Sequence, residues 1–303
     1  MKKVLVVCGA TASGKTGFAV KMAKRLSGEV ISADCMLVYK DLNIGTAKPT
    51  KEEMQGVRHH MIDVVPPAEK YSVGDYEAAA LPILEKLVSE KKTAVICGGT
   101  GFYIQSLCFE RGHGHAGADP AIREKYERIA SEEGKEAVYE RLEKIDPESA
   151  RTLHPNDLKR VIRALEIWEL TGKKKSEQRD GFVPRFSYTA VAFDYPRSEL
   201  YDRINRRVDS MLEDGLVDEV RLLWESGINE TCQCMQGIGY KEVLEYLKGV
   251  VSYSTMRDMI QQNTRNYAKR QITFFKKFPG IVWLDPHNAE NEELVMEAMQ
   301  DGE

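Results

Sequence analysis

Residues 4–7 are four apolar residues in a row, a run of strand length with no polar alternate, as expected of a strand covered on both faces. Similar runs recur at residues 29–33 (EVISA), 93–97 (TAVIC) and 188–193 (YTAVAF), and the first two stop where a loop begins. Between them, residues 17–26 and 75–91 carry apolar positions at helical spacing, with Pro82 placed as a first-turn or kink residue. Strands alternating with helices predict an α/β fold, a parallel sheet covered by helices with its ligands at the strands' carboxyl ends.

The rhythm breaks at residues 110–120 (ERGHGHAGADP), whose glycines predict a boundary. The stretches AIREKYERIASEE, KEAVYERLEKI and NDLKRVIRALEIWEL then predict helix after helix, the last capped by Asn156 or Asp157 and ended by Gly172. The predicted organisation is a core of residues 1–110 and 188–303, interrupted by a helical insertion at 111–187. Long helices are expected over 198–227 and 252–277, and Trp168 and Trp224 fall at apolar helical positions expected in the core.

Composition changes little: 42% hydrophobic and 30% charged residues over 303 positions describe an ordinary globular chain. No apolar run approaches the roughly 20 residues of a membrane span. The opening MKKVLVVCGA runs directly into the most specific motif, which argues against a cleaved leader. Six cysteines form no paired framework, and Cys232 and Cys234 lack the second pair that zinc needs, so a reducing cytoplasm is expected. His59 and His60 read as structural.

Charge changes more. The net charge is −4, but residues 285–303 hold seven acids and no Lys or Arg. Residues 151–185 carry nine basic and five acidic side chains, and residues 257–277 six and one. Segregation of this kind permits a basic surface, or merely solvated helix faces, on an acidic protein.

Residues 9–16, GATASGKT, match the spacing G-x-x-x-x-G-K-[ST] between a strand and a helix. Gly9, Ala10, Thr11, Ala12, Ser13 and Gly14 would offer backbone N–H groups to phosphate, Lys15 a point charge, and Thr16 a hydroxyl for Mg²⁺. A diphosphate in such a loop need not belong to ATP. Asp34 and Thr100 follow predicted strands, which places a proton acceptor or metal ligand and a hydroxyl beside the loop. Arg203 and Arg207 share a helix face, as a diphosphate clamp or a solvated surface with Asp202 and Asp209. Lys159, Arg160 and Arg163 line another helix.

Taken in order, GATASGKT, SADCMLVYKDLNIGTAKPT, RHHMIDV, YSVGDY, GGTGFY, HPNDLKRVIRALEI, RINRRVDSMLEDGLVDEV, GIGYKE and NTRNYAKRQITFF resemble the tRNA dimethylallyltransferase family over nearly the whole chain. The absence of a zinc finger matches the family's bacterial form. The resemblance implies transfer of a dimethylallyl group from dimethylallyl diphosphate to the exocyclic amine of an adenosine beside the anticodon of tRNA. It implies Asp34 as proton acceptor, Thr100 as a group placing the reactants, and Arg207, with Arg123 as a further candidate, on the departing diphosphate. It also implies a tRNA-facing set: Asp34, Cys35, Met36, Leu37, Thr100, Arg123, Lys159, Arg160, Val161, Ile162, Arg163, Gly237, Gly239, Tyr240, Lys269 and Arg270. Cys35 and Leu37 stand where the family usually has Ser and Gln. A monomer that binds the anticodon stem-loop and no membrane is expected. The alternatives are a small-molecule kinase using ATP, a prenyltransferase acting on free adenine nucleotides, and a non-enzymatic RNA-binding module.

Overall fold

The computed structural model describes residues 3–110, 117–177 and 182–300. Most of the predicted boundary at 110–120 therefore lies outside the described residues. The chain divides into two compact units, residues 1–108 with 185–303, and residues 109–184.

The first unit opens with β1 (Val4–Cys8), α1 (Lys15–Arg25), β2 (Glu29–Ser32), α2 (Lys51–Met54), β3 (His59–His60), α3 (Val73–Ser89), β4 (Ala94–Gly98) and α4 (Gly101–Cys108). The second holds β5 (Phe109–Glu110), α5 (Pro120–Glu132), α6 (Lys135–Ile145), α7 (Pro147–Thr152), α8 (Leu158–Thr171) and β6 (Val183–Pro184). The chain then returns with β7 (Tyr188–Phe193), α9 (Arg197–Glu213), α10 (Leu216–Glu225), α11 (Tyr240–Leu247), α12 (Tyr253–Phe275), β8 (Ile281–Leu284) and α13 (Asn291–Gln300).

Six strands form one parallel sheet in the order β3-β2-β4-β1-β7-β8. The central strands β1 and β4 are buried along their whole length, which is why they read as unbroken apolar runs. Phe18, Met22, Val95 and Val191 pack on the α1 face, where Phe18 meets Phe193 edge to face at 5.2 Å. On α3 and α4, Tyr76 stacks on Tyr103 at 3.8 Å, and the Tyr76 hydroxyl donates to the Ser32 carbonyl. This tyrosine ties α3 to the strand that leads to Asp34.

Several expectations needed correction. The helix expected over 198–227 breaks at Gly215, whose φ of 102° suits glycine alone. Pro82 lies in the middle of α3 and not in its first turn. Asp157 occupies the cap position of α8 without a side-chain cap bond, and its carboxylate pairs with Arg160. Trp168 is 37% exposed, so it is no core residue. The edge strands β3 and β8 were missed: two residues are too few to show a period, and IVWL is only partly buried.

Among the second unit's described residues, α5, α6 and α8 enclose a separate apolar core around Tyr126, Val138, Leu142, Val161 and Leu165. β5 and β6 pair antiparallel within that unit, Phe109 opposite Pro184.

Candidate functional site

β1 ends at Cys8 and the chain turns through residues 9–14 into α1. Gly9, Ala12 and Gly14 have φ of 126°, 61° and 79°. Positive φ alternating with ordinary backbone curls successive amides into an anion-binding concavity, and α1 adds its N-terminus. Lys15 folds back so that Nζ donates to the Ala10 carbonyl at 3.2 Å, and burial pulls its pKa down. The Ser13 hydroxyl is buried with no hydrogen-bond partner among the described residues.

β2 and β4 end beside this loop. Asp34 Oδ1 accepts the Met36 backbone N–H at 2.9 Å, which tightens the turn after β2. The Thr100 amide donates to the Ala33 carbonyl, and Thr100 Oγ1 accepts the Cys35 amide at 2.9 Å. Thr100 lines neither of the two main cavities. Its hydroxyl positions the loop that carries Asp34.

Two residues of α12 that sequence reasoning passed over complete the frame. Gln271 accepts the Thr11 amide at 2.9 Å and donates to the Gly99 carbonyl at 2.9 Å, bridging the two glycine turns. A Cβ on Gly99 would lie 2.1 Å from Gln271 Nε2, so a side chain there would push the Gln271 amide off its bonds. Tyr267, one helical turn earlier, lines both cavities, and burial raises its pKa. The available signal was their i,i+4 spacing in NTRNYAKRQITFF, a pattern shared by any helix face.

The smaller cavity, ≈80 Å³, is lined by Lys15, Thr16 and apolar residues including Ala19, Val30, Leu37 and Ile62. The larger, ≈370 Å³, is lined by Cys35, Met36, Ile204, Val208, Gly237, Gly239 and Arg270 among others. Thr11, Asp34, Thr46, Arg207 and Tyr267 belong to both. Leu37 lines the smaller of the two and not the larger. Burial pushes the Cys35 thiol up to about 11, so it stays protonated at neutral pH.

Arg207 is a partly buried cation whose pKa burial pulls down, with Asp34 the main charge opposing that shift. It makes no hydrogen bond or ion pair with the described residues. Arg203, by contrast, donates to the Ala12 carbonyl at 2.8 Å and lies 4.9 Å over the Tyr195 ring, so it braces the loop. Both arginines and Arg206 line a shallow third pocket with Ala12 and Gly14. Asp209 is not their partner; it holds Arg257 at 2.7 Å and Gln261 at 3.0 Å.

The loop before α2 is held from α10. Glu219 accepts the amides of Asn43, Ile44 and Gly45 at 2.7–3.1 Å and the Tyr240 hydroxyl at 2.7 Å. Tyr240 is fully buried, which corrects its expected contact with tRNA; its ring supports Gly45 from beneath. Lys269 Nζ donates to Asn266 at 3.3 Å, and Arg270 lies 5.7 Å over the Tyr267 ring.

In the helical unit, Arg123 grips the fully buried Glu166 with two bonds of 2.8 and 3.0 Å, and Arg163 pairs with the same carboxylate. Burial raises the Glu166 pKa, but these bonds outweigh it and hold the carboxyl below its usual value. Val161 and Ile162 are core residues, which corrects their expected place facing tRNA. Lys159 and Arg160 are the exposed basic pair of that segment.

Among the described residues no group of three His, Cys, Asp or Glu side chains is placed to hold a metal, and no helix is long and apolar enough to cross a membrane.

Comparison with known proteins gives concordant likenesses. The sequence model of the family described as IPP transferase matches residues 37–278. The tRNA dimethylallyltransferase of Acetivibrio thermocellus is 42% identical, the match covering 99% of this chain and 97% of that one. That of Caldanaerobacter subterraneus is 45% identical over 93% and 91%. A tRNA isopentenylpyrophosphate transferase from Bacillus halodurans superposes with a TM-score of 0.73 at 40% identity, covering 99% and 95% of the two chains. A eukaryotic dimethylallyltransferase solved acting on tRNA gives 0.85 at 31% identity, covering 99% of this chain and 78% of its own.

Proposed function

The chain belongs to the IPP transferase family, and from that premise we propose that it moves a dimethylallyl group from dimethylallyl diphosphate to the exocyclic amine of an adenosine beside the anticodon of tRNA. The observation that carries this reading is the place of Asp34, which lines both a small cavity beside the phosphate loop and a larger cavity of ≈370 Å³. One carboxylate common to two compartments suits a reaction that joins two substrates.

The donor's diphosphate would rest on the backbone amides of residues 9–14, on Lys15 and on Arg207. Charge builds on the bridging oxygen as the allylic C–O bond breaks, and fixed cations in a partly dry site stabilise that charge. The unpaired state of Arg207 supports the assignment, since a partly buried cation lining the cavity is left free to meet an anion. The adenine amine is a poor nucleophile, and Asp34 would take its proton as the new C–N bond forms.

Magnesium would be held by the Thr16 hydroxyl and diphosphate oxygens. Such hard oxygen donors suit an ion that keeps several waters and needs no all-protein cage. When bound, it supplies further neutralisation of the leaving diphosphate.

The larger cavity would receive the adenine after it leaves the anticodon-loop stack. Arg270, Gly237 and Gly239 border it, while Lys159, Arg160 and Arg163 would meet phosphates of the stem-loop. Arg123, bound to Glu166, would act by holding the helix that carries these residues and not by touching diphosphate. The enzyme would act as a monomer, and in the cytoplasm, where its six free thiols stay reduced.

Incubation with labelled dimethylallyl diphosphate, unmodified tRNA, AMP and Mg²⁺, with ATP in a parallel reaction, tests the reading. Label in tRNA supports it. Label in AMP alone, or phosphate transfer from ATP, replaces it with a nucleotide prenyltransferase or a kinase.

A further inference from the structure

We propose that the smaller cavity accepts a five-carbon allylic diphosphate bearing a terminal hydroxyl, in addition to the plain dimethylallyl donor, with Ser32 and His59 recognising that hydroxyl. The inference rests on the reading of this cavity as the donor site.

Residues paired across parallel strands point to the same face, as do residues two apart along a strand. Val30 pairs with His59 across β2 and β3, so Val30, Ser32 and His59 all present side chains to the face that lines the cavity. Ser32 is 3% exposed, and its Oγ and His59 Nε2 are both buried with no hydrogen-bond partner among the described residues. The other walls near them, Ala19, Val30 and Ile62, are apolar. Two unpaired polar atoms in such a wall call for partners, from water when the cavity is empty and from a ligand when it is filled.

Their chemistry is complementary. His59 Nδ1 lies 2.9 Å from the Val57 carbonyl, which can only accept, so Nδ1 carries the ring proton. Burial keeps the imidazole neutral, leaving Nε2 as an acceptor. The Ser32 hydroxyl is free to donate, since it is the Ser32 carbonyl that takes the Tyr76 hydroxyl. An alcohol needs one acceptor for its proton and one donor for its lone pair. This pair offers both, whereas the two methyl groups of dimethylallyl can use neither.

The chemical step is unchanged. The amine lone pair of adenine forms the bond to the allylic carbon, the C–O bond breaks with its electron pair leaving on diphosphate, and the amine proton passes to Asp34. The donor hydroxyl takes no part and is carried into the product.

The test compares kcat/KM for dimethylallyl diphosphate and 4-hydroxy-3-methylbut-2-enyl diphosphate on unmodified tRNA, using the full chain. The wild type should use the hydroxylated donor within about tenfold of the plain one. Ser32→Ala and His59→Leu should each lower the hydroxylated-to-plain ratio by roughly tenfold, the scale of one lost hydrogen bond in a buried site. Transfer from the plain donor verifies that each variant folds, and Ser32→Ala removes only one atom. A wild type that rejects the hydroxylated donor by more than about a thousandfold, or a ratio unmoved in both variants, overturns the inference and leaves the proposed function standing. A wild type that moves neither donor to tRNA overturns the function itself, and this inference with it.

Discussion

Thr100 Oγ1 accepts the backbone N–H of Cys35 at 2.9 Å, so the turn after β4 holds the turn after β2 directly next to Asp34. Thr100→Val removes that acceptor while keeping the shape. We expect kcat to fall by about 10–100-fold with little change in donor affinity, because a misplaced base loses rate while the diphosphate keeps its partners. Thr100→Ser should restore most of the rate. Loss of donor binding in the valine variant would show that the hydroxyl touches the donor after all.

Asp34→Asn leaves the Asx-type bond to Met36 available through the amide oxygen. Turnover should drop by roughly two to four orders of magnitude, the usual range for losing a general base, with tRNA affinity retained. Single-turnover rates near those of the wild type would remove Asp34 from the chemistry.

Arg207 has an unusual expectation attached. A partly buried cation without a partner adds little to stability, so Arg207→Met should leave Tm equal or higher while donor handling collapses. Thermal melts with and without diphosphate measure both effects. In the variant, diphosphate should raise Tm much less than it does in the wild type. A variant that melts lower and keeps its diphosphate response would show that Arg207 is structural.

Lys159→Ala with Arg160→Ala should flatten the salt dependence of tRNA binding by up to roughly 0.7 to 0.9 in log-log slope for each phosphate the protein no longer neutralises. Arg163 is left out of that test because it pairs with the buried Glu166, and removing it would strip a partner from a charge in the helical core. Equal slopes for variant and wild type would show that this face does not meet RNA.

Asp146 accepts the Ser149 amide at 3.1 Å and the Ser176 amide at 3.0 Å. Burial opposes its ionisation, but these bonds prevail and hold its pKa at about 2, against 3.8 for the free side chain. The folded pKa is depressed, so the stabilisation is complete above pH of about 4 and is lost as pH falls toward 2; it is on the order of 2 kcal/mol. Hydrogen exchange over α6–α8 should accelerate through that window in the wild type, and Asp146→Asn should weaken the dependence. Identical profiles would exclude the role.

The buried strands were legible because a run such as VLVV can be satisfied only between two layers, and the phosphate loop because its spacing leaves few other uses. Asp34 was found through its place after such a strand. What stayed hidden depends on partners distant in sequence. Nothing in the sequence distinguishes the fully buried Tyr240 from a surface tyrosine until Glu219 is seen beneath it. Gln271 likewise reads as an ordinary helical residue until its two amide bonds, to Thr11 and Gly99, are drawn. Val161 was misread for the same reason: a helix's polar face becomes legible only when its neighbours are known.

The place where the chain leaves and rejoins the core has a consequence for folding. The Arg185 amide donates to the Cys108 carbonyl at 2.8 Å, so the two cut ends of the core are already joined across the departure point. β1 must find β7, more than 180 residues away in sequence. A flexible excursion between them would add closure entropy that grows with the logarithm of its length. Here the excursion carries its own apolar core and its own two-strand clasp, so once folded it acts toward the rest of the chain as a tether of almost no length. The helical unit is therefore an exchangeable module: its size and surface can change without altering the distance the core must span to close its sheet.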